Sequence, residues 1–198
     1  EFENAQARER TQILFDIANM ENALVLGTGD LSELALGWCT YNGDHMSSYA
    51  INASIPKTLI KYLVKANMIL SNDESKKAVL SDILDTPISP ELQISDGKNV
   101  VQKTEDVIGQ YELNDFFLYH FIRRKSNVEK IAYIASKAFD MQIEKTKKSL
   151  DMFIKRFFTN QFKRSCLPDG VKVGTVALSP RGDLRMSSDT SSTIFLVD

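Results

Sequence analysis

The segment from Ala23 to Trp38, ALVLGTGDLSELALGW, constrains the fold more than any other stretch of the chain. Its apolar run predicts a buried strand over 23–27, a glycine-rich turn, and a helix starting near residue 31. A strand that empties through glycines into a helix N-terminus is where α/β proteins present backbone N–H groups to phosphates. The turn also holds the hydroxyl of Thr28 and the carboxylates of Asp30 and Glu33. Two readings of those carboxylates stand side by side. The D-x-x-E spacing is that of a capping box, worth ~1 kcal/mol to the helix and needing no ligand. Alternatively the same groups serve a nucleotide and its metal. Trp38, beside Gly37 at the far end of a short apolar helix, favours the second reading.

With 198 residues, 43% of them apolar and 25% charged, the chain is expected to form one soluble domain with one core. A net charge of −2 points to neither nucleic acid nor a membrane surface. No apolar run approaches the ~20 residues of a membrane span, and the opening Glu-Phe-Glu-Asn is no signal peptide. Cys39 and Cys166 are too few for a disulfide framework, and no Cys/His group has zinc spacing. The expected location is the cytoplasm.

Further helices are predicted over 5–20, from Lys57 to about Met68, and over 74–84, 111–124, 127–139 and 141–165. In the first, Ile13, Leu14, Ile17 and Met20 form an apolar stripe, while Arg8 and Arg10 sit near the start, where the helix dipole gives cations no advantage. Lys57 poses the same question at its own helix start, and an anion there would answer it. The aromatic residues of 111–124 and the stripe Leu150, Ile154, Phe157 read as core. Lys155, Arg156, Lys163 and Arg164 read mostly as a solvated face. Residues 85–103 are a long polar loop with prolines at 87 and 90, the pattern of a functional lid. The tail from Leu167 reads as turns with one or two short strands. Neither an internal repeat nor a second core is evident.

Taken in order, several motifs resemble the synthetase domain of the NAD synthetase family, in its longer, glutamine-dependent bacterial form. They are ENAQAR (3–8), GTGDLSELALGW (27–38), NGDHMS (42–47), NASIPKT (52–58), TEDVIG (104–109) leading to YEL (111–113), QFKRS (161–165) and LSPRGD (178–183). The resemblance implies an α/β, Rossmann-like fold of the adenine-nucleotide alpha hydrolase (ATP pyrophosphatase) type, here helix-rich with parallel strands. It implies a ligase that uses ATP and Mg²⁺ to activate the carboxylate of deamido-NAD as an acyl-adenylate. Ammonia from an N-terminal glutaminase domain then gives NAD and AMP, and the family is oligomeric.

Residue by residue, the resemblance makes Glu33 and Lys57 the catalytic candidates, with Glu33 at the metal and the reacting carboxylate. Thr28, Lys57 and Thr86 would contact ATP, Thr86 opening the lid. Asn4, Arg8, Glu33, Trp38, Asp44 and Lys163 would hold deamido-NAD, with Trp38 against the nicotinate ring. The family's Ser-Gly-Gly-x-Asp-Ser phosphate loop is absent from residues 1–198. The expectation is therefore the C-terminal part of a longer enzyme, inactive alone, because losing even one preorganised donor costs ~10²-fold or more in rate. Tyr41 and Ser48 stand where the small ammonia-dependent enzymes carry a lysine and an aspartate, which favours the glutamine-dependent branch. The alternatives are another ATP pyrophosphatase, such as a GMP or asparagine synthetase, and a non-catalytic module for subunit association.

Overall fold

A computed structural model describes residues 1–86 and 104–197. In chain order the helices are α1 (Phe2–Met20), α2 (Leu31–Leu36), α3 (Lys57–Leu70), α4 (Glu74–Asp85), α5 (Thr104–Ile108), α6 (Tyr111–Leu118), α7 (Val128–Ala138), α8 (Ile143–Thr159) and α9 (Gln161–Arg164). Two short strands, β1 (Leu26–Gly27) and β2 (Tyr49–Ala50), pair in parallel with Leu26 opposite Tyr49 and Gly27 opposite Ala50. Helices with a small parallel sheet are the α/β arrangement expected. Most of the lid expected over 85–103 lies outside the described residues.

The expected strand over 23–27 shrinks to two residues and is not buried: Leu24 and Leu26 are exposed and Gly27 is half-buried. An apolar run implies burial only when neighbours cover both faces, and among the described residues β1 has β2 as its one ladder partner. The tail contributes an isolated bridge from Gly170 to Ala50 and a 3₁₀ turn at Thr193–Phe195, rather than strands. Ala50 N donates to Asp169 O (2.7 Å), and Ser54 Oγ accepts from Val173 N (2.7 Å) while donating to Val171 O (3.1 Å). The tail is thus stitched to β2 by a main-chain bond and to the β2–α3 connection by the Ser54 hydroxyl.

The core lies where α6, α7 and α8 meet α2. Phe117, Ile131, Leu150, Phe153, Ile154 and Phe157 are all buried there, as the aromatic stripes implied. Phe158 stacks on Phe195 of the tail, ring centroids 5.1 Å apart. The helix expected over 111–124 changes pitch after Leu118. Tyr119–Arg123 is a π-turn in which Arg124 N reaches Tyr119 O (3.1 Å). The helix expected over 141–165 breaks at Asn160, whose side-chain Nδ2 donates both to Arg156 O of α8 (2.9 Å) and to Leu36 O (3.2 Å). The α1 stripe is real but unburied: Ile13, Leu14, Ile17 and Met20 are all exposed. Among the described residues no helix is long and apolar enough to cross a membrane.

Candidate functional site

Helix α2 is six residues long, about 9 Å at 1.5 Å per residue, and the site residues gather at its two ends. At the N-terminus the capping box is complete. Asp30 Oδ1 accepts from Ser32 N and Glu33 N (3.0 Å each), and Glu33 Oε2 accepts from Asp30 N (3.1 Å). Each carboxylate keeps a second oxygen for another task. The Lys57 ammonium lies 2.7 Å from both Asp30 Oδ2 and Glu33 Oε1 and above the Tyr111 ring, 5.7 Å from its centroid. The cap and the charged cluster are therefore one structure, with each carboxylate divided between them.

Lys57 opens α3, and Pro56 in the N-cap position supplies no side-chain bond. Carboxylates of the protein itself supply the negative charge that a lysine at this helix start called for. Besides Asp30 and Glu33 there is Asp115 on α6, whose Oδ2 accepts from Thr58 N (3.2 Å) and Thr58 Oγ1 (2.7 Å). Asp115 Oδ1 accepts from Ser32 Oγ, which in turn accepts from Lys57 N (2.8 Å). Sequence reasoning missed Asp115. Its signal was a carboxylate on the inward stripe Tyr111, Asn114, Leu118, where an apolar residue belongs. Tyr111 was missed as well: its hydroxyl is buried and has no hydrogen-bond partner among the described residues.

Burial dominates the electrostatics. It raises Asp30, which is 0% exposed, and it raises Asp115 against the opposing bonds from Ser32 and Thr58. It pushes Glu33 up to about 6, with the Asp30 charge adding to the rise. Burial works against the Lys57 ammonium, but Asp30 and Glu33 outweigh it and hold Lys57 up to about 12. Two carboxylates share the one ammonium, and the Asp115 charge lies near enough to interact with it.

The other end of α2 is a cluster of cations on carbonyls. Arg156 Nε and Asn160 Nδ2 donate to Leu36 O (3.2 Å each), and Lys163 Nζ donates to Gly37 O (2.8 Å) and Cys39 O (2.6 Å). Arg164 Nη1 donates to Leu34 O and Ala35 O (3.0 Å each). The expected solvated face is thus overturned for Arg156, Lys163 and Arg164, which complete the C-terminal carbonyls of a short helix. The Arg156 guanidinium also lies over the Trp38 ring, 5.4 Å from its centroid.

The loop after Trp38 joins most of the remaining candidates. Asn4 Oδ1 accepts from Thr40 Oγ1 (2.8 Å), Arg8 Nε donates to Tyr41 O (3.1 Å), and Asp44 Oδ1 accepts from Thr40 N (2.7 Å). Asn4, Arg8, Trp38, Asp44 and Lys163 therefore share one loop, residues 37–45. Glu33 and Lys57 share the opposite end of α2. Thr28 is exposed on the turn just before Asp30, its carbonyl 3.5 Å from Asn52 Nδ2. Thr86 follows α4, where its hydroxyl donates to Asp82 O (2.8 Å), and among the described residues no hydrogen bond or ion pair joins it to either group.

The sequence model of the NAD synthase family matches residues 1–166. The glutamine-dependent NAD(+) synthetases of Mycobacterium leprae and Mycobacterium tuberculosis are each 43% identical to the chain, covering 98% of it and 32% of their own length. The chain thus spans about a third of the length of these curated relatives. The crystal structure of a glutamine-dependent NAD(+) synthetase from Cytophaga hutchinsonii shares the fold. It has a TM-score of 0.73 at 19% identity, over 96% of this chain and 28% of that one.

Proposed function

The chain belongs to the NAD synthase family, and from that premise we propose that it supplies part of the site where ATP and deamido-NAD react. In the proposed reaction a nicotinate carboxylate oxygen attacks the α-phosphorus of ATP and pyrophosphate leaves. Ammonia, delivered from a glutaminase domain, then attacks the acyl carbon, loses a proton and expels AMP. The observation that carries this reading is the Lys57 ammonium held between Asp30 and Glu33 at the adjoining N-termini of α2 and α3.

Each end of α2 has its own part in the proposal. Thr28 and Lys57, with Thr86 at the lid, hold the nucleotide; an ammonium at a helix N-terminus suits phosphate oxygens. Asn4, Arg8, Asp44 and Lys163 hold deamido-NAD around loop 37–45, and the Trp38 ring stacks on the nicotinate ring. Lys163 then leaves one of its two carbonyls, which costs little if a phosphate replaces it. Oligomerisation belongs to the same proposal, because the exposed α1 stripe lies on the helix that carries Asn4 and Arg8.

Mg²⁺ fits the residues present in a limited way. Among the described residues no group of three or more His, Cys, Asp or Glu converges as a metal cage. Asp30 and Glu33 offer two carboxylates already turned to a shared cation, and Mg²⁺ takes one or two such ligands when phosphates supply others. Glu33, with Asp30 behind it, would hold the ion. When bound, it neutralises charge on the ATP phosphates.

Trp38 is the one tryptophan of the chain, so its fluorescence reports on this loop alone. Titration with deamido-NAD is expected to change that signal saturably, and Lys163→Ala to weaken the response. A flat titration, or a response to XMP or aspartate in its place, overturns the substrate assignment.

A further inference from the structure

Helices α2 and α3 meet by their first turns, where Leu31 N donates to Ile55 O (3.0 Å) and Glu33 and Lys57 face each other. Asp115 adds a second tie between them. It accepts the Thr58 amide directly and the Lys57 amide through Ser32 Oγ, so the first two N–H groups of α3 both end on one carboxylate from α6. Because Pro56 provides no cap, Asp115 is the N-cap of α3 supplied from another helix. Ser32 lies next to Glu33 and Thr58 next to Lys57, so the same three bonds fix the backbone on both sides of the ion pair.

We propose that Asp115 is a positioning residue for the phosphate-binding ammonium of Lys57, setting it against Glu33 by joining the N-termini of α2 and α3 through Ser32 and Thr58. The nucleotide part of this assignment rests on the function proposed above; the positioning part does not. Asp115 itself touches neither Lys57 Nζ nor Glu33, and its contribution passes through the backbone. An asparagine keeps the shape but has one acceptor oxygen. It can serve Thr58, and its amide group then faces Ser32 Oγ as a donor, so the Ser32 proton loses its acceptor and the relay from Lys57 N to α6 runs through a weaker, uncharged bond.

The test uses the chain labelled with ¹⁵N, in wild-type form and as Asp115→Asn and Ser32→Ala. The Lys57 ammonium resonance, assigned by its loss in Lys57→Arg, reports the ion pair itself, and amide exchange reports the two N–H groups. In Asp115→Asn the ammonium signal is expected to broaden, and the Lys57 and Thr58 amides to exchange about tenfold faster or more, while α7 and α8 keep their protection. Ser32→Ala deletes only a hydroxyl and is expected to release the Lys57 amide while leaving that of Thr58 protected. That split keeps the test alive if Asp115→Asn fails to fold. Unchanged Lys57 signals in both variants overturn the positioning role.

A second arm measures Mg·ATP binding by calorimetry and the Trp38 response to deamido-NAD. Asp115→Asn is expected to weaken Mg·ATP about tenfold and leave the Trp38 response unchanged. Equal Mg·ATP affinity in wild type and variant overturns the proposal even if the resonances move. A wild-type chain that binds no Mg·ATP overturns the nucleotide reading instead, and the resonances alone then decide the positioning role.

Discussion

The Arg164 guanidinium is 1% exposed and directs its donors to Gln161 Oε1 (2.8 Å) and to the carbonyls of Leu34, Ala35 and Phe157, while lying over the Phe157 ring. Replacing it by leucine fills similar space but strands oxygens that have no route to water, each at about 1–3 kcal/mol. Arg164→Leu is expected to cost at least roughly 3 kcal/mol in urea unfolding, and Arg164→Lys, a point charge without the fork, roughly 2 kcal/mol. A leucine variant of wild-type stability would show that those carbonyls do not depend on the guanidinium. His45 makes a pH-dependent contribution of the same kind. Its Nδ1 lies 3.1 Å from Thr40 O and must donate to it, which leaves Nε2 as an acceptor 3.3 Å from Cys166 Sγ, whose one proton is shared with Lys163 O (3.2 Å). Burial lowers the His45 pKa below the ordinary value. A lowered folded pKa means that the unfolded chain takes the proton first. The contribution of His45 is therefore complete above its unfolded value, about 6.5, and is lost as pH falls through the folded value. Proton NMR of the two histidines is expected to show both rings titrating below that value, since burial and the Arg124 and Lys130 charges lower His120 as well. The ring lost in His45→Gln is His45, and a midpoint for it at or above about 6.5 refutes the assignment.

At the scale of one element, α2 is too short to be stable alone, and both of its ends are secured by side chains. Gly37 closes it in the left-handed region, φ 61°, and a Cβ there would lie 2.2 Å from Asn160 Cβ. Gly37→Ala must therefore displace Asn160 from Leu36 O as well as accept an unfavourable φ. A loss of about 2–4 kcal/mol is expected in urea unfolding, together with a blue or red shift of Trp38 emission next door. A loss under about 0.5 kcal/mol would mean that the clamp can yield. The two ends of α2 also differ in how far they were legible. The capping box is a local i, i+3 pattern, and it was read directly from Asp30 and Glu33. The clamp at the other end comes from Arg156 and Arg164, 120 and 130 residues downstream of the carbonyls they meet. On α8 and α9 those cations fall among polar neighbours, where periodicity predicts solvent. Asp115 was equally remote: its partners lie on α2 and α3, and local spacing carries no trace of them. For β1 the apolar run misled, because Leu24 and Leu26 record a preference for burial that no described neighbour satisfies.

Across the whole molecule, burial is unevenly distributed. Helices α6, α7 and α8 contribute Phe117, Leu118, Ile131, Ala132, Leu150, Phe153, Ile154 and Phe157, all close to fully enclosed. In α1 only Ala7 and Ala18 are buried, and α3 and α4 have no buried residue. Apolar burial is the main favourable term in folding, so segments without it open at low cost whatever their helix propensity. Native-state hydrogen exchange is expected to sort the chain accordingly. Amides of α7 and α8 should exchange only through global unfolding and share its denaturant dependence. Those in the middle and C-terminal turns of α3, throughout α4 and in most of α1 should exchange through local openings that denaturant barely affects. The first turn of α3 is the informative exception, because the Lys57 and Thr58 amides are tied through Asp115 to α6 in the core. They should be the most protected amides of α3, with protection falling along the helix towards Leu70. A uniform α3, whether slow or fast throughout, would mean that the helix moves as one body and that the ion pair at its start is anchored by something other than Asp115. A gradient would instead place the rigid part of the molecule where the proposed chemistry needs fixed geometry. The two candidate groups at the ends of α2 would then rest on the α6–α8 core, while the helices that display Asn4, Arg8 and Thr86 remain free to adjust.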